Sequence, residues 1–321
     1  MQIGDVQIKN PYVLAPMASV TDVAYRTLCR RYGAGLVFSD MISANGFAQN
    51  NRRTLEKFIV SPEEHPVALQ IFGSRLDNLI KCGIYASQFC DIVDLNAGCP
   101  VRKVVTTGAG AALLENPDWL YRILKEMSQV IEIPVTVKIR IPPENIDFIE
   151  FIEQISSSGV DAITIHGRVR EQMYSGRADW EKIAVAVEHS CVPVIGNGDV
   201  VDYTTAKQMM DVTGCEAVMI GRAAIGNPLI FRHLVSEGRV LNPKGIPARE
   251  KIHALLGYTD LARKFGIPEK IQVLHAIKFT RDLPRSARLR ARLTGIKKIE
   301  EAINIILRYY DLPILQNTEI S

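Results

Sequence analysis

Residues Pro134–Arg140 read P-V-T-V-K-I-R and residues Ile92–Gly98 read I-V-D-L-N-A-G. Both are apolar and β-branched through their length, and both end in polar residues or glycine. A strand with one wet face alternates apolar and polar residues, whereas a strand covered on both faces does not. These two stretches therefore read as strands of a parallel sheet packed under helices. Six more runs of the same kind lie along the chain: Tyr12–Met17, Leu36–Ser43, Val67–Gly73, Ala162–Arg168, Pro193–Asp199 and Ala217–Ala223. Amphipathic stretches separate most of them, such as D-W-L-Y-R-I-L-K-E-M-S-Q-V-I (118–131) and D-F-I-E-F-I-E-Q-I-S-S-S-G (147–159). Eight βα units over about 225 residues predict an α/β chain folded as a closed (β/α)8 TIM barrel. A doubly wound open sheet is the alternative, but the pattern shows no switch point along its length.

After residue 225 the strand runs cease. N-P-K-G-I-P (242–247) has the composition of a linker, and helical stretches follow over Ala248–Phe265, Glu269–Asp282 and Ser286–Tyr310. The expected division is a barrel over 1–241 and a small all-helical domain over 242–321. Apolar residues make up 47% of the 321, enough for a large core and against disorder. The six cysteines are scattered without a C-x-x-C pair, so neither a zinc site nor a disulfide framework is indicated, and no metal is expected. No apolar leader and no run of eighteen apolar residues occurs, which points to a cytoplasmic chain without a membrane partner.

In a barrel the chemistry gathers at the C-terminal ends of the strands. Read in order, those ends carry Pro16-Met17, Asp40, Gln70, Asn96 with Cys99, Lys138 with Arg140, His166 with Arg168, Asn197-Gly198-Asp199 and Gly221-Arg222. The glycine loops G-N-G-D (196–199) and I-G-R-A-A (220–224) follow strands seven and eight, where barrels most often hold a phosphate. Arg222 would add a charge-assisted bond. The plainer reading is a pair of tight βα turns. Lys138 interrupts a buried strand, where an unpaired ammonium is costly, so it should meet an anion or a π-system bearing negative charge, such as a reduced flavin. The side-chain amide of Gln70 both donates and accepts, which suits the pyrimidine-like edge of an isoalloxazine. His166 alone reads as a core histidine; beside Gly167-Arg168 at a strand end it reads as a site residue. T-G-A-G-A-A-L (107–113) lacks the third glycine of a dinucleotide fingerprint and reads as a helix start packed on the rim. Cys99 stands apart from the other cysteines, held at a strand end between Gly98 and Pro100. A thiol near its ordinary pKa is mostly protonated at neutral pH, so general acid is its economical role.

The tail is basic in its middle. Lys278, Arg281, Arg285, Arg288, Arg290, Arg292, Lys297 and Lys298 stand against Asp282 alone. A charge run is usually a solvated face, but this imbalance suits a polyanion.

Taken together, A-P-M (15–17), L-N-A-G-C-P (95–100), V-T-V-K-I-R (135–140), I-H-G-R-x-R-E-Q-x-Y-S-G-x-A-D-W (165–180), I-G-N-G-D (195–199) and M-I-G-R-A-A (219–224) resemble, in this order, the tRNA-dihydrouridine synthase family. The chain is most similar to the bacterial B-type and archaeal members. The resemblance implies FMN at the barrel mouth, NADPH as electron donor, and reduction of the C5–C6 double bond of uridine in tRNA by hydride from the flavin and a proton from Cys99. It places FMN against Pro16, Met17, Ala18, Gln70, Lys138, His166, Asn197, Gly198, Asp199, Gly221 and Arg222. The uracil is expected near Asn96 and Arg168, and the RNA on the tail through Lys278, Arg288 and Arg292. A monomer is expected. The target base must leave its stack to reach the mouth. The chain departs from the family pattern at Ile141-Pro142-Pro143-Glu144 after Arg140, at Val273-Leu274 before His275, at Lys278 where Trp is common, and at Leu283-Pro284-Arg285 where the family has Leu-Pro-Gly. A small-molecule FMN oxidoreductase of dihydroorotate or enoate type and a non-catalytic RNA-binding barrel are the competing readings. The basic tail speaks against the first.

Overall fold

The computed structural model describes residues 1–239 and 245–313. Eight strands carry the eight predicted runs: β1 (Tyr12–Leu14), β2 (Leu36–Phe38), β3 (Val67–Phe72), β4 (Ile92–Ala97), β5 (Val135–Arg140), β6 (Ala162–His166), β7 (Val194–Asn197) and β8 (Ala217–Ile220); the second run also yields a two-residue strand, Ile42–Ser43, paired on the end of β3. All pair in parallel with their sequence neighbours, for example Asn96 with Lys138 and Ile139 with Ile165. The ring closes because β8 pairs back onto β1, Met219 against Val13. Closure leaves no topological switch point and rules out the open-sheet alternative.

Helices cover the outside. Their apolar stripes make the main core with the outward-facing strand residues, among them Leu120, Ile123, Leu124 and Met127 of the helix Pro117–Val130. A second cluster fills the lower barrel: Val13, Leu36, Phe38, Ala68, Ile92, Ala162, Ile195, Ala217 and Met219. An antiparallel hairpin, Gln2–Ile3 with Val6–Gln7, delivers Ile3 and Ile8 into that cluster as a plug. This hairpin is too short to show a period in the sequence. Above the plug the inward positions turn polar, with Gln70, Asp94, Asn96, Thr136, Lys138, Thr164, His166 and Asn197.

The first barrel helix, α1 (Val23–Arg31), is capped by Asp22, whose Oδ1 accepts from the Tyr25 N–H. The tail comprises α2 (Ala248–Lys264), α3 (Glu269–Phe279), α4 (Ser286–Leu293) and α5 (Ile299–Tyr309), and packs against α1 through α2 and α3. The single helix expected over Ser286–Tyr310 is two, broken where Gly295 takes φ +88°. The helix expected to reach Asp282 stops at Phe279, because Asp282 is left-handed (φ +63°) and Pro284 follows. Of the linker reading at 242–247, residues 242–244 lie outside the described residues.

Barrel and tail share one core. Tyr25 of α1 packs on Tyr258, His275 and Phe279, and Tyr258 stacks on His275 at 4.2 Å between ring centroids. Asp22 Oδ2 accepts from the Tyr258 hydroxyl (3.0 Å) and lies 3.2 Å from His275 Nε2. Burial pushes the Asp22 carboxyl up, but His275, the Tyr25 N–H and Tyr258 together hold it below the ordinary carboxylate value.

Candidate active site at the barrel mouth

A cleft of about 790 Å3 opens at the C-terminal end of the strands. It is lined by Pro16, Met17, Ala18, Gln70, Asn96, Cys99, Lys138, His166, Asn197, Gly198, Asp199, Gly221 and Arg222. The structure thus brings together the residues expected to hold the flavin, and it places Asn96 and Cys99 beside them.

Each wall has a local cause. β1 ends at Leu14, and Thr21 Oγ1 both accepts from Met17 N–H and donates to Met17 C=O, turning Pro16–Ala18 across the rim. On the floor, Gln70 and Asn96 bond to each other, Asn96 Nδ2 to Gln70 Oε1 at 2.8 Å. Asn96 Oδ1 accepts from the N–H groups of Gly98 and Cys99 (3.2 and 2.9 Å), which curls the chain beyond β4 and sets Cys99 half-buried at the edge. From below, Gly110 (φ +61°) supports this loop; a Cβ there would lie 2.7 Å from the Cys99 carbonyl, and that carbonyl accepts from Ala111 N–H. The stretch 107–113 is therefore rim packing, as expected, although it enters a 3-10 turn over Gly110–Glu115 and not an α-helix.

Lys138 Nζ donates to Asn197 Oδ1 (3.1 Å), and Asn197 Nδ2 donates to Met219 C=O. Burial, then the neighbouring Arg140 charge, pulls the Lys138 ammonium down to about 8, Asp94 and Cys99 opposing. His166 is driven down to about 2 by burial and by the surrounding cations Lys138, Arg140, Arg168 and Arg222, so its imidazole is neutral. Burial raises the Cys99 thiol above its ordinary value against the opposing pull of the Val101 N–H, Arg140 and Lys138, so it is protonated at neutral pH.

The phosphate end is built from the loops after β7 and β8. Among the described residues, the backbone N–H groups of Gly198, Asp199, Gly221 and Arg222 have no acceptor within the chain. Amides without an acceptor on two loops that line one cleft beside an arginine suit an anion, and a Cβ on Gly221 would meet only Ala15 at 3.7 Å, so that backbone is open to a ligand. Gly198 holds φ +134°, where a Cβ would strike Ala178 at 2.5 Å. These residues fit the phosphate of FMN and Lys138 fits its ring; Gln70 lines the cleft but already donates to Asp94 and accepts from Asn96, which leaves it one N–H and one lone pair for a ring.

One expectation needs correction. Arg168 is 1% exposed and does not line the cleft. Its guanidinium grips Asp199 through both carboxylate oxygens (2.8 and 2.7 Å), donates to the carbonyls of Ser175 and Gly176, and lies 3.2 Å from His166 Nε2. With its donors so occupied it is a strut of the wall and not a contact for uracil. The carboxylate of Asp199 is likewise held, bonding Arg168, Arg222 (2.9 Å) and Ala178 N–H, so Asp199 offers the cleft its backbone. Lys278, expected to meet RNA, is half-buried at the seam between barrel and tail, where its ammonium donates to Ser19 C=O (2.6 Å) and burial lowers its pKa. Arg288 and Arg292 are exposed on α4.

Other residues line the mouth that the strand-end reading did not assign. Tyr174 is 55% exposed and lies under two guanidinium groups, Arg140 at 5.7 Å and Arg222 at 5.3 Å from its ring. Met41 borders Asn96, and Arg281 and Asp282 reach in from the tail. Arg281 stood in the basic run, and Tyr174 in the Q-x-Y-S-G stretch, so both had a signal in the sequence. Among the described residues no group of three or more His, Cys, Asp or Glu could hold a metal ion, and no helix is long and apolar enough to cross a membrane.

Comparison with known proteins agrees with this geometry. The family model described as dihydrouridine synthase matches residues 13–314. The tRNA-dihydrouridine synthase B of Escherichia coli is 33% identical over 320 residues, 97% of this chain and 99% of that one. That of Pasteurella multocida is 36% identical over 277 residues, 84% of this chain and 82% of its own. Solved structures similar in fold include a morphinone reductase variant in complex with tetrahydroNAD (TM-score 0.53, 14% identity, 74% of this chain and 90% of that one). A histamine dehydrogenase from a Rhizobium species also matches (TM-score 0.59, 12% identity, 81% of this chain and 50% of that one). The chain belongs to the dihydrouridine synthase family, flavin-dependent enzymes that make dihydrouridine in tRNA.

Proposed function

We propose that this chain reduces the C5–C6 double bond of a uridine extruded from tRNA, with Cys99 as the acid. The observation that carries the reading is the meeting, in one cleft, of a protonated thiol, a lysine facing the mouth and a phosphate cradle of unpaired amides. Bound in this cleft, FMN reduced by NADPH would supply the hydride for C6 of the base. Cys99 holds the proton for C5, and burial keeps it on sulfur until the base arrives. Lys138 and Gln70 orient the ring of the cofactor, and Lys138 places positive charge where a reduced ring gathers negative charge. His166, held neutral, adds no further cation to a wall that already carries Arg140, Arg168 and Arg222.

The tail holds the RNA. Arg281, Arg285, Arg288 and Arg292 are exposed on one connected stretch, and Arg281 reaches the cleft. Neutralising phosphates with such side chains gives affinity without sequence preference, which suits an enzyme that must grip a folded RNA while one nucleotide enters the mouth. The division into a catalytic barrel and an RNA-binding tail is supported by this charge distribution. The test is Cys99→Ala. The variant is expected to retain its yellow colour and its bleaching by NADPH, and to lose most dihydrouridine formation measured by mass spectrometry on unmodified tRNA. Dihydrouridine at the parent rate would remove Cys99 from the acid role.

A further inference from the structure

Asp94 is wholly buried on β4, one layer beneath the cleft floor, and does not line the cleft itself. Its register partners are Gln70 on β3 and Thr136 on β5. Each carboxylate oxygen takes one short hydrogen bond: Gln70 Nε2 donates to Oδ2 and Thr136 Oγ1 donates to Oδ1, both at 2.7 Å. A carboxylate accepts and does not donate, so it is the one member of this chain of groups that cannot be turned round. Gln70 must therefore present its NH2 to Asp94 and its oxygen to the other side. That oxygen accepts from Asn96 Nδ2 (2.8 Å), so Asn96 must in turn present its oxygen to the loop, where it accepts from Gly98 N–H and Cys99 N–H. Both lone pairs of the Asn96 oxygen are then filled. What Asn96 has left for the cleft is one N–H, beside Met41 Sδ at 4.0 Å, a weak acceptor that a carbonyl would displace.

We propose that Asp94 is a positioning residue: through its two acceptor oxygens it sets the direction of the Gln70 and Asn96 amides, and so fixes the Cys99 loop and makes Asn96 a donor only, suited to a carbonyl of the base. The inference rests on the uridine-reducing reading for its consequence in catalysis, but the hydrogen-bond direction stands without it. Reversal of the relay would turn Asn96 NH2 toward two backbone N–H groups, and the loop would lose both bonds that curl it.

The relay makes a non-additive prediction. In Asp94→Asn, the new oxygen keeps facing Gln70 if the new NH2 donates to Thr136 Oγ1, whose hydroxyl rotates. In Thr136→Val, Asp94 still accepts from Gln70. Each single variant should therefore lose less than about threefold in activity, whereas Asp94→Asn/Thr136→Val leaves the amide direction unset. The readout is alkylation of Cys99 by iodoacetamide, followed by peptide mass spectrometry in a Cys191→Ser background, because Cys191 is the exposed thiol. It needs neither flavin nor RNA. The double variant is expected to alkylate Cys99 about tenfold faster than either single variant, with a comparable fall in dihydrouridine formation. Gln70→Met cuts the relay one link further on and is expected to free the Cys99 loop to the same degree, which keeps the test available should the double variant not fold. Alkylation of the double variant no faster than the product of the two single effects, or parent-like alkylation in Gln70→Met, would overturn the proposal. A parent protein that makes no dihydrouridine would instead count against the functional reading, since the alkylation result is independent of it.

Discussion

Lys138 should make FMN affinity fall with alkali, and the size of the effect follows from the surroundings of its ammonium. The ammonium sits between Asn197 and the Arg140 charge, and its pKa is drawn from the ordinary 10.5 to about 8. The phosphate of FMN brings negative charge and the ring carbonyls bring acceptors, which favour the charged lysine, so the bound state keeps the proton over a pH range in which the ligand-free lysine has lost it. By linkage, the dissociation constant is flat while the free lysine is charged and rises about tenfold per pH unit above about 8. Between about pH 7 and 9 the free-cleft titration alone gives a factor of about ten, or about 1.4 kcal/mol. The neighbouring groups do not share this window: His166 stays neutral, and Asp94, which burial raises to about 6, is ionised throughout. The assay is quenching of flavin fluorescence on titration with apoprotein at constant ionic strength. In Lys138→Met the affinity should be weaker and the slope absent. A parent curve flat across this range, or a Lys138→Met curve with the parent's slope, would refute the reasoning.

Two other expectations concern the tail and its seam. Arg288→Ala and Arg292→Ala should each weaken tRNA binding without changing flavin content, and each should lower the slope of log affinity against log salt by roughly 0.7–0.9; an unchanged slope removes that residue from the interface. Gly226→Ala should cost at least about 2 kcal/mol in urea unfolding, because a Cβ there would lie 2.3 Å from the Lys278 carbonyl group at φ +65°, so that the tail must shift; a loss below that of an ordinary surface substitution would show that the seam yields.

The eight barrel strands were legible because covering both faces leaves a continuous apolar run that little else in a soluble chain produces. Their polar ends were legible for the complementary reason, since Lys138 or Gln70 inside such a run demands a partner. The role of Arg168 was not, nor was the contact that holds Lys278. An arginine after a strand-end histidine looks solvent-directed, and only the fold brings Asp199 and the 175–176 carbonyls around it. Lys278 finds Ser19, 259 residues away in sequence. The break at Gly295 was masked by the helical period that resumes on both sides of it, and the plug hairpin spans too few residues to show one.

The seam at Asp22, Tyr25, Tyr258 and His275 has a consequence for target choice. On the proposed reading, the basic tail surface and the reducing chamber are joined through one packed interior, so they would act as the two jaws of a caliper. The nucleotide that reaches the thiol would then be set by the span between those jaws and the shape of the RNA laid across them, so moving the mark would call for changes at this joint as well as at the mouth.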